Sequence, residues 1–190
     1  MKLPIIAYGD PVLKKVAVDI DENYPDLKIL INNMFETMYA ASGVGLAAPQ
    51  VGLPIRLFVI DASPFGEDEE ALKGFKKVFI NPVIQEESGE KWEFNEGCLS
   101  IPDIRENVSR HKDLKISYFD EDFNFNEATF TGLAARVIQH EYDHIQGKLF
   151  TDRINPLRKT MLKSRLDAIS KGAVKVDYKM RFPMQQRKKR

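Results

Sequence analysis

The sequence predicts a single domain that contains both helices and strands. Apolar residues recur at spacings of three and four in three stretches, as one face of a helix requires. Short runs of β-branched and aromatic residues, bounded by turn residues, lie between the first and second of these stretches and predict strands. A length of 190 residues suits one domain with a substantial core.

The first predicted helix covers residues 26–41. Its apolar stripe consists of Leu27, Leu30, Ile31, Met34 and Met38. The following segment, Gly43–Gln50, has almost no large polar side chains, and Gly43 and Gly45 carry no Cβ. This segment is either an ordinary connection between a helix and a strand or a place where the backbone approaches another group closely.

Five strands are predicted after this segment. They are Ile55–Ile60, Val78–Ile84, Lys91–Phe94, Leu114–Phe119 and Asn124–Phe130. The acidic stretch within residues 63–74 is predicted to be a solvated loop. Residues 96–102 are predicted to form a turn, and they contain the only cysteine, Cys98.

The second helix carries the strongest chemical signal, Gln139–His144. An amphipathic run precedes it, Thr131 can cap its start, and Gly147 follows its end. His140 and His144 are four residues apart, so they point the same way with about 6 Å between them. The alternative is a buried helix with two satisfied histidines, although two of the three histidines of the chain lie here.

Two imidazoles at this spacing can share one metal ion, and Glu141 between them can reach a water on that ion. A catalytic site also needs a third protein ligand. The usual peptidase patterns fail, because no glutamate follows Glu141 and Phe150 occupies the position of a further histidine. His111 is a possible ligand in a charged stretch, but Cys98 is the better candidate because a thiolate binds borderline-soft metals well.

The third predicted helix begins at the cap Asn155 and ends before Gly172. Its expected apolar side consists of Leu157, Met161, Leu162, Leu166 and Ile169. The domain is therefore expected to span residues 1–172. Residues 173–190 are expected to form a C-terminal extension whose basic tail, residues 185–190, is disordered.

The net charge of zero conceals an asymmetry. Residues 151–190 hold 13 lysines and arginines against 3 acidic residues, a net charge of +10. This end of the chain is either a solvated surface or a contact for an anionic partner. The absence of a long apolar run, of a signal segment and of a second cysteine predicts a cytoplasmic protein without a membrane span.

Three segments together, Gly43–Gln50, Glu96–Ser100 and Gln139–His144, make the chain resemble peptide deformylases. They match the three motifs of that family in order and near its spacing. The resemblance implies an α+β fold in which antiparallel sheets wrap around the central metal-binding helix, with an N-terminal helix and a C-terminal helix. It also implies a hydrolase that removes the N-formyl group from the methionine of newly made proteins.

The resemblance further implies one divalent metal ion per chain, held by Cys98, His140 and His144. Fe(II) is expected physiologically, and zinc, nickel or cobalt in the purified protein. Glu141 is implied to be the acid and base. The formyl oxygen would be held by the metal, the Leu99 backbone N–H and the Gln50 amide.

The implied partners are N-formylmethionyl nascent peptides, with neither DNA nor a membrane. Residues implied to bind the substrate are Gly43, Val44, Gly45, Glu96, Gly97, Arg105, Leu133 and Val137. Arg136 departs from the pattern, because many relatives carry an apolar residue there, near the slot for the methionine side chain. The basic residues 156–190 are proposed to contact ribosomal RNA.

Two other functions remain open at this point. Cys98 could act as a nucleophile that forms an acyl-enzyme. Alternatively, the metal site could be structural, in which case a fourth ligand such as His111 or Asp143 would close the coordination shell. Removal of activity by chelation and its return with added metal would favour the metal-dependent hydrolase.

Overall fold

The computed structural model describes residues 1–67 and 69–183. The helices are α1 (Leu27–Ala40), α2 (Gly132–Ile145) and α3 (Pro156–Ser170). The strands are β1 (Ile5–Ile6), β2 (Gly45–Ala47), β3 (Leu57–Asp61), β4 (Lys76–Cys98), β5 (Ile101–Phe119), β6 (Phe125–Thr131) and β7 (Met180–Arg181). None of the helices among these residues has both the length and the apolar character needed to cross a bilayer.

The five strands β2 to β6 form one sheet in sequence order, and every neighbouring pair is antiparallel. The first and last strands, β1 and β7, pair in parallel and form a separate ribbon. Helix α2 contacts β2, β3, β5 and β6, so the sheet surrounds it on several sides. The α+β expectation with a central motif helix is therefore confirmed.

The long hairpin of β4 and β5 differs from the predicted strands. Val78–Ile84 and Lys91–Phe94 are parts of one strand, β4, whose pairing with β5 is interrupted by several bulges. The predicted turn at residues 96–102 is the tip of this hairpin, where only Leu99 and Ser100 lie outside the strands. The first part of β5 escaped prediction because charged side chains interrupt its apolar pattern.

The predicted bounds of the first helix agree with α1 to within about a residue. As predicted, Asn155 caps α3, because its side chain accepts a hydrogen bond from the Leu157 N–H at 2.8 Å. The predicted apolar side of α3 is wrong for two residues, since Leu157 is 70% exposed and Met161 64% exposed. Thr131 precedes α2 without a side-chain capping bond. Gly147, after α2, has a φ of +68°, and a Cβ there would lie 2.5 Å from the Lys14 carbonyl oxygen.

The apolar residues pack into three main clusters. One lies between α1 and strands β2, β3 and β4, and the second between the sheet and α2. The third joins α3 to the start of β5 and to the segment that follows α2. Each large side chain that these clusters remove from water stabilises the fold by about 1.5–3 kcal/mol. Together they hold α2 and the tip of the hairpin in place.

The residues after α3 return to the body of the domain. Strand β7 pairs with β1, and Val174, Met180 and Phe182 pack against the third cluster. The boundary expected after residue 172 therefore does not mark the end of the folded part, because residues 173–183 belong to it. The basic tail expected at residues 185–190 lies outside the described residues.

Candidate metal centre and active site

Three side chains that can bind a metal converge beside α2. Cys98 is the last residue of β4, and His140 and His144 lie one turn apart on α2. Their ligand atoms all lie within 4.8 Å of one another, and the Cys98 Sγ is 3.4 Å from the His144 Nε2. One sulfur and two imidazole nitrogens form a donor set suited to zinc, iron or another borderline-soft ion.

The Glu96 carboxylate orients His140. Glu96 Oε2 lies 3.0 Å from His140 Nδ1. Although burial raises the pKa of Glu96, hydrogen bonds from Arg110 and His140 hold it well below its usual range, so the carboxylate is ionised. An ionised carboxylate only accepts, so Nδ1 donates its proton to Glu96, and Nε2 is the nitrogen left available to a metal.

Cys98 is prepared as a thiolate. Burial alone would raise the pKa of its thiol, but the neighbouring His144 and His140 lower that pKa to about 5. The thiolate, which is the form that binds metals, is therefore the main form at neutral pH.

Glu141 lies deep in the site with an open position beside it. Its side chain is buried, and burial raises its pKa to about 7. Within residues 1–67 and 69–183, its Oε2 has no hydrogen-bond partner. The backbone of β2 lies so close to the Glu141 carboxylate that a Cβ on Gly45 would be only 2.3 Å from Glu141 Oε1. A buried carboxylate oxygen without a partner indicates that a ligand or substrate group belongs next to it.

Gln50 directs its amide nitrogen at the same space. Its Oε1 accepts a hydrogen bond from the Ala47 N–H at 2.8 Å, which determines which way the amide faces. Nε2 consequently lies 3.4 Å from both the Cys98 Sγ and the Ser100 Oγ. Across the cleft, a Cβ on Gly43 would meet the Leu99 side chain at 2.7 Å. The segment connects α1 to β2, and its glycines also allow the close backbone approach that was the second possibility.

A cleft of about 760 Å³ opens onto these groups. All eight residues that the sequence assigned to substrate binding line it, together with Gln50, Leu99 and Glu141. Arg105 is exposed and donates to Asn95 through Nε at 2.9 Å. The sequence missed the far rim, which consists of Lys175, Val176, Asp177 and Tyr178 from the C-terminal extension. No motif marked that segment.

The two residues considered as further ligands lie in other contacts. His111 is on β5, with its Nδ1 2.9 Å from the Gly89 carbonyl oxygen. Asp143 is buried, but its carboxylate accepts hydrogen bonds from Arg110 and Arg153. In the part of the chain that the structure describes, the group able to hold an ion therefore comprises three residues, the number of protein ligands that a catalytic metal site uses.

Arg136 turns its charge toward Glu96. Its Nη1 donates to Glu96 Oε1 and to the Val108 carbonyl, each at 2.9 Å, and Nη2 donates to the Trp92 carbonyl at 2.7 Å. The guanidinium also lies 4.6 Å from the centre of the Trp92 ring. The positive charge of Arg136 is thus neutralised by Glu96, although it lies near the slot expected for the methionine side chain.

Arg110 connects Glu96 to Asp143. It donates to both Glu96 oxygens, at 2.7 and 2.9 Å, and to Asp143 Oδ2 at 2.7 Å. The side chains of all three are at most 4% exposed. In the sequence Arg110 stands in a run of charged residues that predicts no burial, because a buried arginine leaves no mark on the apolar pattern.

A cysteine and two histidines that can hold a metal, beside a buried glutamate in an open cleft, define the site of a metal-dependent hydrolase. Comparisons with known proteins agree. The family model described as polypeptide deformylase matches residues 2–160. Peptide deformylase from Christiangramia forsetii is 62% identical over 190 residues, covering 96% of this chain and 97% of that protein. The enzyme of Flavobacterium johnsoniae is 57% identical, covering 96% of each.

Solved structures give the same result. The crystal structure of a peptide deformylase from Legionella pneumophila matches with a TM-score of 0.79 at 39% identity, covering 92% of this chain and 99% of that one. The Thermotoga maritima structure matches with a TM-score of 0.74 at 41% identity, covering 82% and 99%. The chain belongs to the peptide deformylase family. It is a metal-dependent enzyme that hydrolyses the N-formyl group of methionine at the start of peptides.

The buried ion network gives a prediction about stability. We expect Arg110→Ala to lower the free energy of unfolding by about 3–5 kcal/mol, because it leaves the buried Glu96 and Asp143 carboxylates without their shared cation. Arg158→Ala is the matched control. It removes a similar Arg–carboxylate pair with Glu106, in which the arginine side chain is 53% exposed. This change should lower the free energy of unfolding far less, because solvent screens an exposed ion pair. Denaturant unfolding measures both, and equal losses would contradict the assigned difference.

Proposed function

We propose that Cys98, His140 and His144 hold the divalent ion on which this family of hydrolases depends. Three observations indicate that these residues suit a metal ion. Their ligand atoms lie close together, Cys98 is a thiolate, and Glu96 keeps a proton on the Nδ1 of His140. The unpartnered Oε2 of Glu141 next to these ligands carries the proposal most directly. The mixed sulfur and nitrogen donors suit Fe(II), which we propose as the physiological ion, with zinc, nickel or cobalt as substitutes.

A divalent ion bound here would lower the pKa of water to about 7 and so make hydroxide available at neutral pH. Glu141 would take the proton from the attacking water with its free carboxylate oxygen and then pass it to the leaving peptide nitrogen. The second transfer matters because an amide nitrogen cannot leave readily as an anion. The raised pKa of Glu141, about 7, suits a group that must both accept and release a proton.

The formyl oxygen becomes negatively charged during the reaction and needs donors that are already in position. We assign this role to the Gln50 amide nitrogen and the backbone N–H of Leu99. Gln50 supports the assignment because it lines the cleft, the Ala47 N–H holds its oxygen, and its nitrogen lies 3.4 Å from the Cys98 Sγ. Loss of one such donor commonly costs about 10²–10³ in rate.

The substrate is proposed to lie along β2. This strand is at the edge of the sheet, so its outer side can pair with an extended peptide. Gly43, Val44 and Gly45 would receive the backbone of an N-formylmethionyl nascent chain, in the cytoplasm where such chains are made. The apolar side chains of Leu133 and Val137, which line the cleft, would accept the methionine side chain together with Val44.

Glu141→Gln tests the proposed acid and base. We expect kcat for formate release from formyl-Met-Ala-Ser to fall by about 10²–10⁴, because the amide cannot accept the proton. The metal content should remain that of the wild type, since Glu141 is not a proposed ligand. Glu90→Gln is the matched control, because that residue is exposed on the hairpin, and it should retain normal turnover. Equal turnover by Glu141→Gln and wild type would refute the role.

The same assay separates the metal-dependent reaction from attack by Cys98. Chelation should abolish formate release by the wild type, and addition of Fe(II), Ni(II) or Zn(II) should restore it. An acyl-enzyme mechanism through Cys98 would survive chelation and would yield a trapped thioester.

We also propose that the basic C-terminal region contacts the ribosome while the substrate emerges. Support comes from the net charge of +10 on residues 151–190 and from the exposed Lys163 and Arg165 of α3. Two exposed apolar side chains, Leu157 and Met161, lie on the same helix.

A truncation that tests ribosome contact must spare residues 173–183, because they pack on the domain. We expect removal of residues 184–190 combined with Lys163→Glu to weaken cosedimentation with ribosomes. Binding of the full chain should fall steeply with salt, as contact with phosphates requires. The matched control is Lys73→Glu, which reverses an exposed charge outside this region. Binding that is unaffected by truncation and by salt would exclude the proposal.

A further inference from the structure

The turn that carries the proposed oxyanion donor is tied to both ends of the chain. Leu99 and Ser100 connect β4 to β5 next to the metal ligand Cys98. The Leu99 carbonyl accepts a hydrogen bond from the Tyr178 hydroxyl at 2.8 Å. The Ser100 carbonyl accepts one from the Tyr8 N–H at 2.9 Å. Both carbonyls of this two-residue turn are therefore held by residues distant in sequence.

The two anchoring residues flank the ribbon of β1 and β7. Tyr8 follows β1 by two residues and Tyr178 precedes β7 by two. The ribbon itself is held by hydrogen bonds from the Ile5 N–H to the Lys179 carbonyl at 2.8 Å and from the Ala7 N–H to the Arg181 carbonyl at 3.0 Å. Since Ile5 and Ala7 are fully buried, the ribbon is part of the core. The turn is thus attached to an element whose β1 side is buried.

The Tyr178 hydroxyl is suited to this task. A carbonyl oxygen can only accept, so the hydroxyl must donate. Burial raises the pKa of Tyr178, and the charge on Cys98 adds to the effect, so the proton is retained at neutral pH. The ring packs against the first apolar cluster and, with Lys175 and Asp177, forms the far rim of the cleft.

We propose that Tyr178 is a positioning residue for the hydrolysis of the formyl group. Its hydroxyl holds the peptide plane that follows Leu99, and this restricts the rotation of the adjoining plane, which contains the Leu99 N–H. The C-terminal extension thereby aims the oxyanion donor at the cleft. The inference rests on the proposed role of that N–H, and it assigns a function to a segment beyond residue 160, where the family match ends.

Tyr178→Phe tests this role by removal of a single oxygen. We expect kcat for formate release from formyl-Met-Ala-Ser to fall about 5–30-fold. This is less than the loss of about 10²–10³ for a deleted oxyanion donor, because the Leu99 N–H is loosened rather than removed. KM, metal content and the thermal midpoint should change little, since the ring, the ligands and the ribbon remain. A purely structural role would instead lower the midpoint or metal content in step with activity.

Tyr24→Phe is the matched control, because Tyr24 packs against the same cluster but borders a separate surface hollow. It should leave kcat unchanged. An unchanged kcat in Tyr178→Phe, or equal losses in both variants, would overturn the inference. Glu141→Gln, measured alongside, separates the two proposals. If it is inactive while Tyr178→Phe is normal, only the positioning role fails; if it keeps full turnover, the proposed function fails.

Discussion

The Glu96 carboxylate is the group on which the rest of the site depends. It accepts hydrogen bonds from Arg110, Arg136 and His140 at distances of 2.7 to 3.0 Å, almost out of contact with water. Burial of such a charge is costly unless its partners are in place. Those partners come from β5 and α2, so the ion network joins the hairpin to the motif helix. The same carboxylate determines which nitrogen of His140 faces the proposed metal position.

Close backbone contacts complete the arrangement. Gly45 leaves room for the Glu141 carboxylate against β2, and the Ala47 N–H turns the Gln50 amide toward the cleft. The proposed metal ligands lie on a strand end and on a helix rather than on long loops. Elements of this kind hold side chains within the small tolerances that catalysis requires. The C-terminal ribbon adds a support to the hairpin tip, where Leu99 and Ser100 lie between the two strands.

The sequence predicted the three helices, the α+β class and the residues that meet in the cleft. The helices left a helical period in the sequence, and the two histidines left a His-x-x-x-His spacing. The α+β arrangement and most residues of the cleft were instead implied by the resemblance to the family, which three short motifs carried. The full length of β5 was missed because its buried face includes Arg110, so polar and apolar positions do not alternate. The network of Arg110, Glu96 and Asp143 could not be inferred either, because it joins residues from three elements that are distant in the sequence.

The C-terminal extension was the larger omission. Strands β1 and β7 have two residues each and pair across almost the whole chain, so no local pattern reports their contact. Tyr178 likewise stands in a basic segment that reads as a solvated tail. Such long-range contacts depend on the folded core that brings the two chain ends together. They are visible only in three dimensions.

The central claim is that one sulfur and two imidazole nitrogens bind the same ion. X-ray absorption spectroscopy of the zinc-loaded protein tests it most directly. We expect one sulfur neighbour at about 2.3 Å and two nitrogen neighbours at about 2.0–2.1 Å. Cys98→Ser should remove the sulfur signal. A spectrum of the wild-type protein without any sulfur neighbour, or with a full shell of four protein ligands, would contradict the account.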